Sequence, residues 1–216
     1  MRFLSCLFAV AALGAAAVGC GDDDEPEGPS PESLKSLLPP ASQLGPLKPG
    51  QTFEWDNATD LVVIGLVFPE ATAPSDSSAQ IEDAGFVAAA GELLMPRGGG
   101  SPVNVTAIAF DSPEGATQAQ DYLHAQDLEQ PCLAACAVNP EELSIEEIPD
   151  ATAVHHVPIE ADLPPGLHPF EGFAVEFPIG SNLFYAAASA DPGDIPVSDF
   201  KRGATRFYRY AKQHSQ

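Results

Sequence analysis

Histidine, cysteine and carboxylate are the side chains in this chain that could hold a metal, close a disulfide or move a proton. Of its five histidines, His155 and His156 are adjacent, so on a strand they face opposite ways and cannot chelate one ion together. His124 falls in a helical stretch, His168 in a Pro-rich loop and His214 near the end of the sequence. Gathering His156 with Glu160 or His168 would require the fold to bring distant segments together, and the expectation is neither metal nor cofactor. The pairs Glu141-Glu142 and Glu146-Glu147 offer carboxylates for acid/base work, but among 31 acidic residues such pairs arise from composition and sit in water. No Gly-x-Ser-x-Gly elbow occurs, and Gly98-Gly99-Gly100-Ser101 lacks the lysine and the strand-to-helix setting of a phosphate loop. The expectation is a protein that is not an enzyme. Cys132 and Cys136 are four residues apart, a spacing that a helical turn or tight loop brings within disulfide range. It is not the Cys-x-x-Cys of a redox site, and no second pair completes a zinc site.

A different chemistry is signalled at Cys20. An uncharged apolar run from Phe3 to Val18 follows Arg2 and ends in Ala17-Val18-Gly19-Cys20. The run is too short and too Ala-rich for a good membrane span, and its small-residue ending suits a signal peptide. The ending resembles the lipobox of bacterial lipoproteins. That resemblance implies diacylation of Cys20, with palmitate-type chains, and cleavage before it. Residues 1–19 then form the signal peptide, and the protein sits on the extracytoplasmic face of the cell membrane, anchored by lipid. Two or more acyl chains give stable anchoring where one is marginal. Removal of Cys6 with the signal leaves Cys132 and Cys136 as the remaining thiols, and an oxidising compartment favours a local staple over two free thiols.

The balance of charge bounds the partners. The whole chain carries a formal −22, and loss of Arg2 makes residues 20–216 more acidic still. Nucleic acid and anionic headgroups are both repelled, so membrane attachment falls to the lipid. With 44% hydrophobic residues and a mean hydropathy of −0.02, the chain has enough apolar material for a core.

These sites need elements to carry them. Residues 20–32 are Gly, Pro, Ser and acid, an acidic tether ahead of one globular domain over 33–216. Leu44 to Gly50 reads as loop, and the β-branched run Leu61 to Phe68 reads as a buried strand. A short helix from Pro74 to Ala84 ends at a Gly85 cap, followed by strands over Phe86–Met95 and Pro102–Phe110. Ser112-Pro113-Glu114 launches a helix to about Leu128 that buries Ala116, Ala119 and Leu123. Further strands are predicted at Leu143–Ile148, Thr152–Ile159, Gly172–Phe177 and Leu183–Ala188, then a helix over Val197–Gln213. The strand-strand-helix unit occurs twice. The fold class predicted is α+β, an antiparallel sheet with helices packed on one face.

On the last helix, Phe200, Ala204, Phe207 and Ala211 recur at core-facing spacing. Arg202, Arg206 and Arg209 line the other side, where Tyr208 and Tyr210 could add aromatic contact for an acidic partner; a plain solvated face is the alternative. Val105 to Ala116 resembles the strand-to-helix step in extracellular domains of Gram-positive surface lipoproteins and in sensor-like ectodomains of bacterial receptor kinases. The resemblance implies a noncatalytic α+β domain. Two functions follow: a binding or sensing module for a small-molecule or lipid ligand, or an accessory structural lipoprotein that contacts an envelope partner. A deep apolar pocket would favour the first, and a filled core with one exposed patch the second.

Overall fold

The computed structural model describes residues 28–62, 74–100, 102–129, 138–158 and 170–215. Cys20, Cys132, Cys136, Glu160 and His168 lie outside them, as does most of the tether. Ser30 opens the described domain as a helix cap: its Oγ accepts the Ser33 N–H at 3.3 Å, and α1 (Pro31–Lys35) begins within the last residues expected of the tether.

Next come α2 (Ala41–Leu44) and β1 (Leu47–Trp55), where sequence reasoning placed a loop over Leu44 to Gly50. Pro49 hid this strand. It is tolerated because β1 is an edge, and the pairing with its neighbour shifts between Pro49 and Thr52. The strand expected at Leu61–Phe68 also begins differently. Asn57 caps α3 (Ala58–Asp60) by accepting the Asp60 N–H at 2.8 Å, and Leu61 and Val62 continue that helical turn into the core. Residues 63–68 lie outside the described ones.

The middle of the chain follows its patterning. After α4 (Pro74–Asp83), Gly85 takes a φ of +83° and turns the chain into β2 (Phe86–Pro96) and β3 (Val103–Phe110). Ser112 Oγ accepts the Gly115 N–H at 3.1 Å and starts α5 (Pro113–Glu129). The next strand is β4 (Val138–Glu142), not Leu143–Ile148. Ile145 and Ile148 are buried three residues apart because they share a turn, closed by the Ile148 N–H on the Ile145 carbonyl at 3.1 Å. Then come β5 (Thr152–Pro158), β6 (Glu171–Ile179), β7 (Asn182–Ala190) and α6 (Val197–His214).

All seven strands form one antiparallel sheet in the order β1-β2-β3-β7-β6-β5-β4. The α+β class and both strand-strand-helix units are present, but the helices cover both faces of the sheet, not one. Alternation along β3 makes the division plain: Val105, Ala107 and Ala109 join the core beneath α1, α2 and α6, while Ile108 and Phe110 join the core beneath α3, α4 and α5. With both sides covered, the central strands are buried almost throughout. That continuity is the mark of a doubly covered sheet.

Candidate functional site: an apolar groove and a buried acid pair

The α6 face is built on aromatic contacts. Phe177 stacks on Phe184 at 5.3 Å and meets the edge of Phe207 at 5.2 Å, and Phe173 stacks on Phe200 at 4.9 Å. This packing holds α6 against the middle of the sheet. Toward the β3 end, however, the floor narrows to Val103, Val105, Ala186 and Ala188, and the short side chains leave a groove of about 260 Å³. Phe200, Ala204 and Phe207 form one wall, and Leu44 to Leu47 form the other. Only Asp194 and Asp199 bring charge to it, and Asp199 pairs with Arg202.

Gly203 also lines the groove. A Cβ there would meet nothing closer than the Leu44 carbonyl oxygen at 3.7 Å, and its backbone is ordinary helix. Nothing steric requires glycine inside an 18-residue helix, where alanine would be better by about 1 kcal/mol. A side chain longer than alanine at this position would take up groove space.

The loop between β7 and α6 forms the groove's rim and is tied to the sheet. Glu171 Oε2 accepts the Gly193 N–H at 2.7 Å, and Glu171 Oε1 lies 2.6 Å from His155 Nε2. His155 stacks on Phe173 at 4.4 Å, so the histidine nearest the groove is a buttress. His156 points to the other face, as the alternation predicts; burial, and then the neighbouring His155, lower its pKa.

The α5 face is chemically different. Ala116, Ala119 and Leu123 are buried as expected, but Gln120 and Asp127 are buried beside them, on the same side of the helix. Opposite lie Glu176 on β6, fully buried, and its register partner Tyr185 on β7. Gln120 Nε2 donates to the Asp150 carbonyl at 2.7 Å and to Thr152 Oγ1 at 3.2 Å, and Thr152 Oγ1 donates to Glu176 Oε2 at 2.8 Å. Glu176 Oε1 and Asp127 Oδ2 have no donor. Burial pushes the Asp127 carboxyl up to about 6. Glu176 rises well above the carboxylate range through burial and then through Asp127. Tyr185 is raised by burial and by both acids.

Sequence reasoning missed this pair, although its signals were present. Glu176 interrupts Phe173-Ala-Val-Glu-Phe177, and Asp127 continues the Ala116/Leu123 stripe at the next turn. The residues singled out on α6 are where the helical spacing put them: Arg202, Arg206 and Arg209 are exposed opposite Phe200 and Phe207. The aromatic supplement is smaller than expected. Tyr208 turns inward and meets Phe177 edge-on at 5.6 Å, while Tyr210 stacks on His214 at 3.9 Å. Glu141 and Glu142 are exposed on β4, with His124 Nε2 3.8 Å from Glu142. Among the described residues no group of three metal-ligating side chains comes together, and no helix is long and apolar enough to cross a membrane.

Comparison with family models and with curated proteins gives no match. Among solved structures, the fold is similar to the extracellular domain of PknH from Mycobacterium tuberculosis. The TM-score is 0.52 at 13% identity, over 86% of this chain and 98% of that domain. At this identity the likeness concerns the fold.

Proposed function

We propose that the protein is a noncatalytic binding or sensing domain, anchored by lipid at Cys20 on the extracytoplasmic face of a membrane, with the groove beside α6 as its ligand seat. The observation that carries this reading is the groove itself: apolar, open, and lined in part by a glycine that the helix does not need. An apolar cavity of roughly 150 Å³ holds benzene, so this larger volume suits a bicyclic body or a short alkyl chain. Asp194 and Asp199 at the mouth, on a strongly acidic chain, select a ligand whose polar end is uncharged or cationic. The lipobox-like Ala17-Val18-Gly19-Cys20 and the extracellular setting of the PknH domain support the location.

The test uses the neutral apolar dye Nile red. Gly203→Leu fills the groove from a solvent-facing wall and should lower dye affinity at least tenfold while leaving the melting temperature within a few degrees. Undiminished binding would remove the groove from consideration. For the anchor, Cys20→Ala should move the cell-expressed protein out of the detergent phase, and unchanged partition would refute lipidation. A second reading, the accessory structural role, draws on Arg206 and Arg209, which are exposed and make no ion pair with a described residue. It requires an acidic envelope partner that binds less tightly as salt rises.

A further inference from the structure

Asp127 and Glu176 raise a question of neutralisation that the groove does not touch. Both acids are buried between α5 and the sheet, and each presents an oxygen without a donor. A buried carboxylate normally has a cation beside it. From residue 28 onward the chain has eight Lys and Arg residues, all of them among the described ones. Five are on α6, across the sheet. Lys35 pairs with Glu54 and Glu32, Arg97 Nε donates to the Leu47 carbonyl, and Lys48 is exposed on the edge strand β1. None reaches the pair.

Among the described residues, the other groups around it include no lysine or arginine. Facing the two acids are Gln120 and His124 from α5, Thr152 from β5 and Tyr185 from β7. His124 Nδ1 is itself buried without a partner, and its Nε2 faces Glu142 of β4. A proton held between the two carboxyls gives each orphan oxygen its partner.

We propose that Asp127 and Glu176 form a proton-binding pair that locks α5 onto the sheet in acidic surroundings and loosens it as the pH rises. Below about pH 4 both acids are protonated in the folded and the unfolded chain alike. Above that, the unfolded chain releases its protons while the folded pair retains one or more, so the folded state binds the excess and loses stability with rising pH. The loss runs from about pH 4 through the folded pKa of Asp127 at about 6 and on into the higher range of Glu176. The inference does not depend on the groove being a ligand seat.

The experiment compares the wild-type mature chain with Glu176→Gln, Asp127→Asn and the exposed control Glu146→Gln between pH 5 and pH 8. An amide keeps a donor between the two groups at every pH and so mimics the protonated pair. Wild type and control should each lose about 5 °C or more of melting temperature across this range, and α5 amides should exchange several-fold faster at pH 8 after correction for intrinsic rates. Both amide variants should lose less with rising pH than wild type, because one of the two buried acids is gone, and should be more stable than it at pH 8. A protonated-carboxyl infrared band should be present in the wild type at pH 7 and weaker in each variant. The proposal is overturned if the variants track the wild type with pH, or if that band is absent. It is also overturned if millimolar calcium or magnesium restores wild-type but not Glu176→Gln stability at pH 8, which would make the pair a cation site. Nile red affinity should be unchanged in Glu176→Gln, so failure here is distinct from failure of the groove reading.

Discussion

On the α6 side, strands β6 and β7 present Phe173, Val175, Phe177 and Phe184, and they meet Phe200 and Phe207; on the α5 side the same two strands present Glu176 and Tyr185, and they meet Gln120 and Asp127. The first face is aromatic, and what it leaves unfilled is space. What the second leaves incomplete is hydrogen bonding. One strand can serve both because successive side chains alternate. The difference separates two ways in which a domain can respond to its surroundings: by taking a molecule into a void, or by taking up a proton in a packed seam.

The largest test of the contrast is Phe207→Ala. Phe207 is 1% exposed and joins the Phe177–Phe184 stack, so its loss should remove about 3 to 5 kcal/mol in denaturant unfolding, equally at pH 5 and pH 8. A pH-dependent loss would mean that the two faces are not separable. The amide substitutions on the opposite face should have the reverse sign. A carboxyl raised from 3.8 to about 6 corresponds to about 3 kcal/mol of penalty above that pH, which Asp127→Asn should recover in part at pH 8 and not at pH 4. Gly203→Ala should stabilise by about 1 kcal/mol and narrow the groove only slightly, so a gain in melting temperature with a small loss of Nile red affinity is expected. Smallest is the reversal of Arg202, Arg206 and Arg209 to Glu, which should change stability by about 0.5 kcal/mol or less apart from the Asp199 contact. A loss as large as that of Phe207→Ala would show the basic face to be structural.

Much of the fold could be read from the residues. The capped start at Ser112-Pro113, the Gly180-Ser181 turn between β6 and β7 and the Phe200/Phe207 stripe are local signals, and each element follows within a few residues of expectation. What escaped was set by tertiary context. The edge strand β1 tolerates a proline that would break a central one, and Leu61-Val62 obeys the Asn57 cap over its own β-branched preference. Helices on both faces were legible in Val103–Phe110 and Glu171–Phe177, whose apolar runs leave no side for solvent. The groove was not legible, because it is a volume left by alanines and a glycine that the fold brings together from distant segments. The acid pair was half legible: each acid interrupts an apolar pattern, but only the strand register and the seating of α5 bring them face to face.

The two outer strands of the sheet have a consequence for contacts between copies of the chain. A strand margin left unpaired in an open sheet can zip to a matching margin on a neighbouring copy. Here β1 is interrupted by Pro49 and by the shift in pairing that follows it, and it carries Lys48 outward. At the far end β4 is only five residues long, contains Pro140 and ends in Glu141 and Glu142. Strand-to-strand pairing between copies would therefore meet short, kinked and charged borders, which disfavour it.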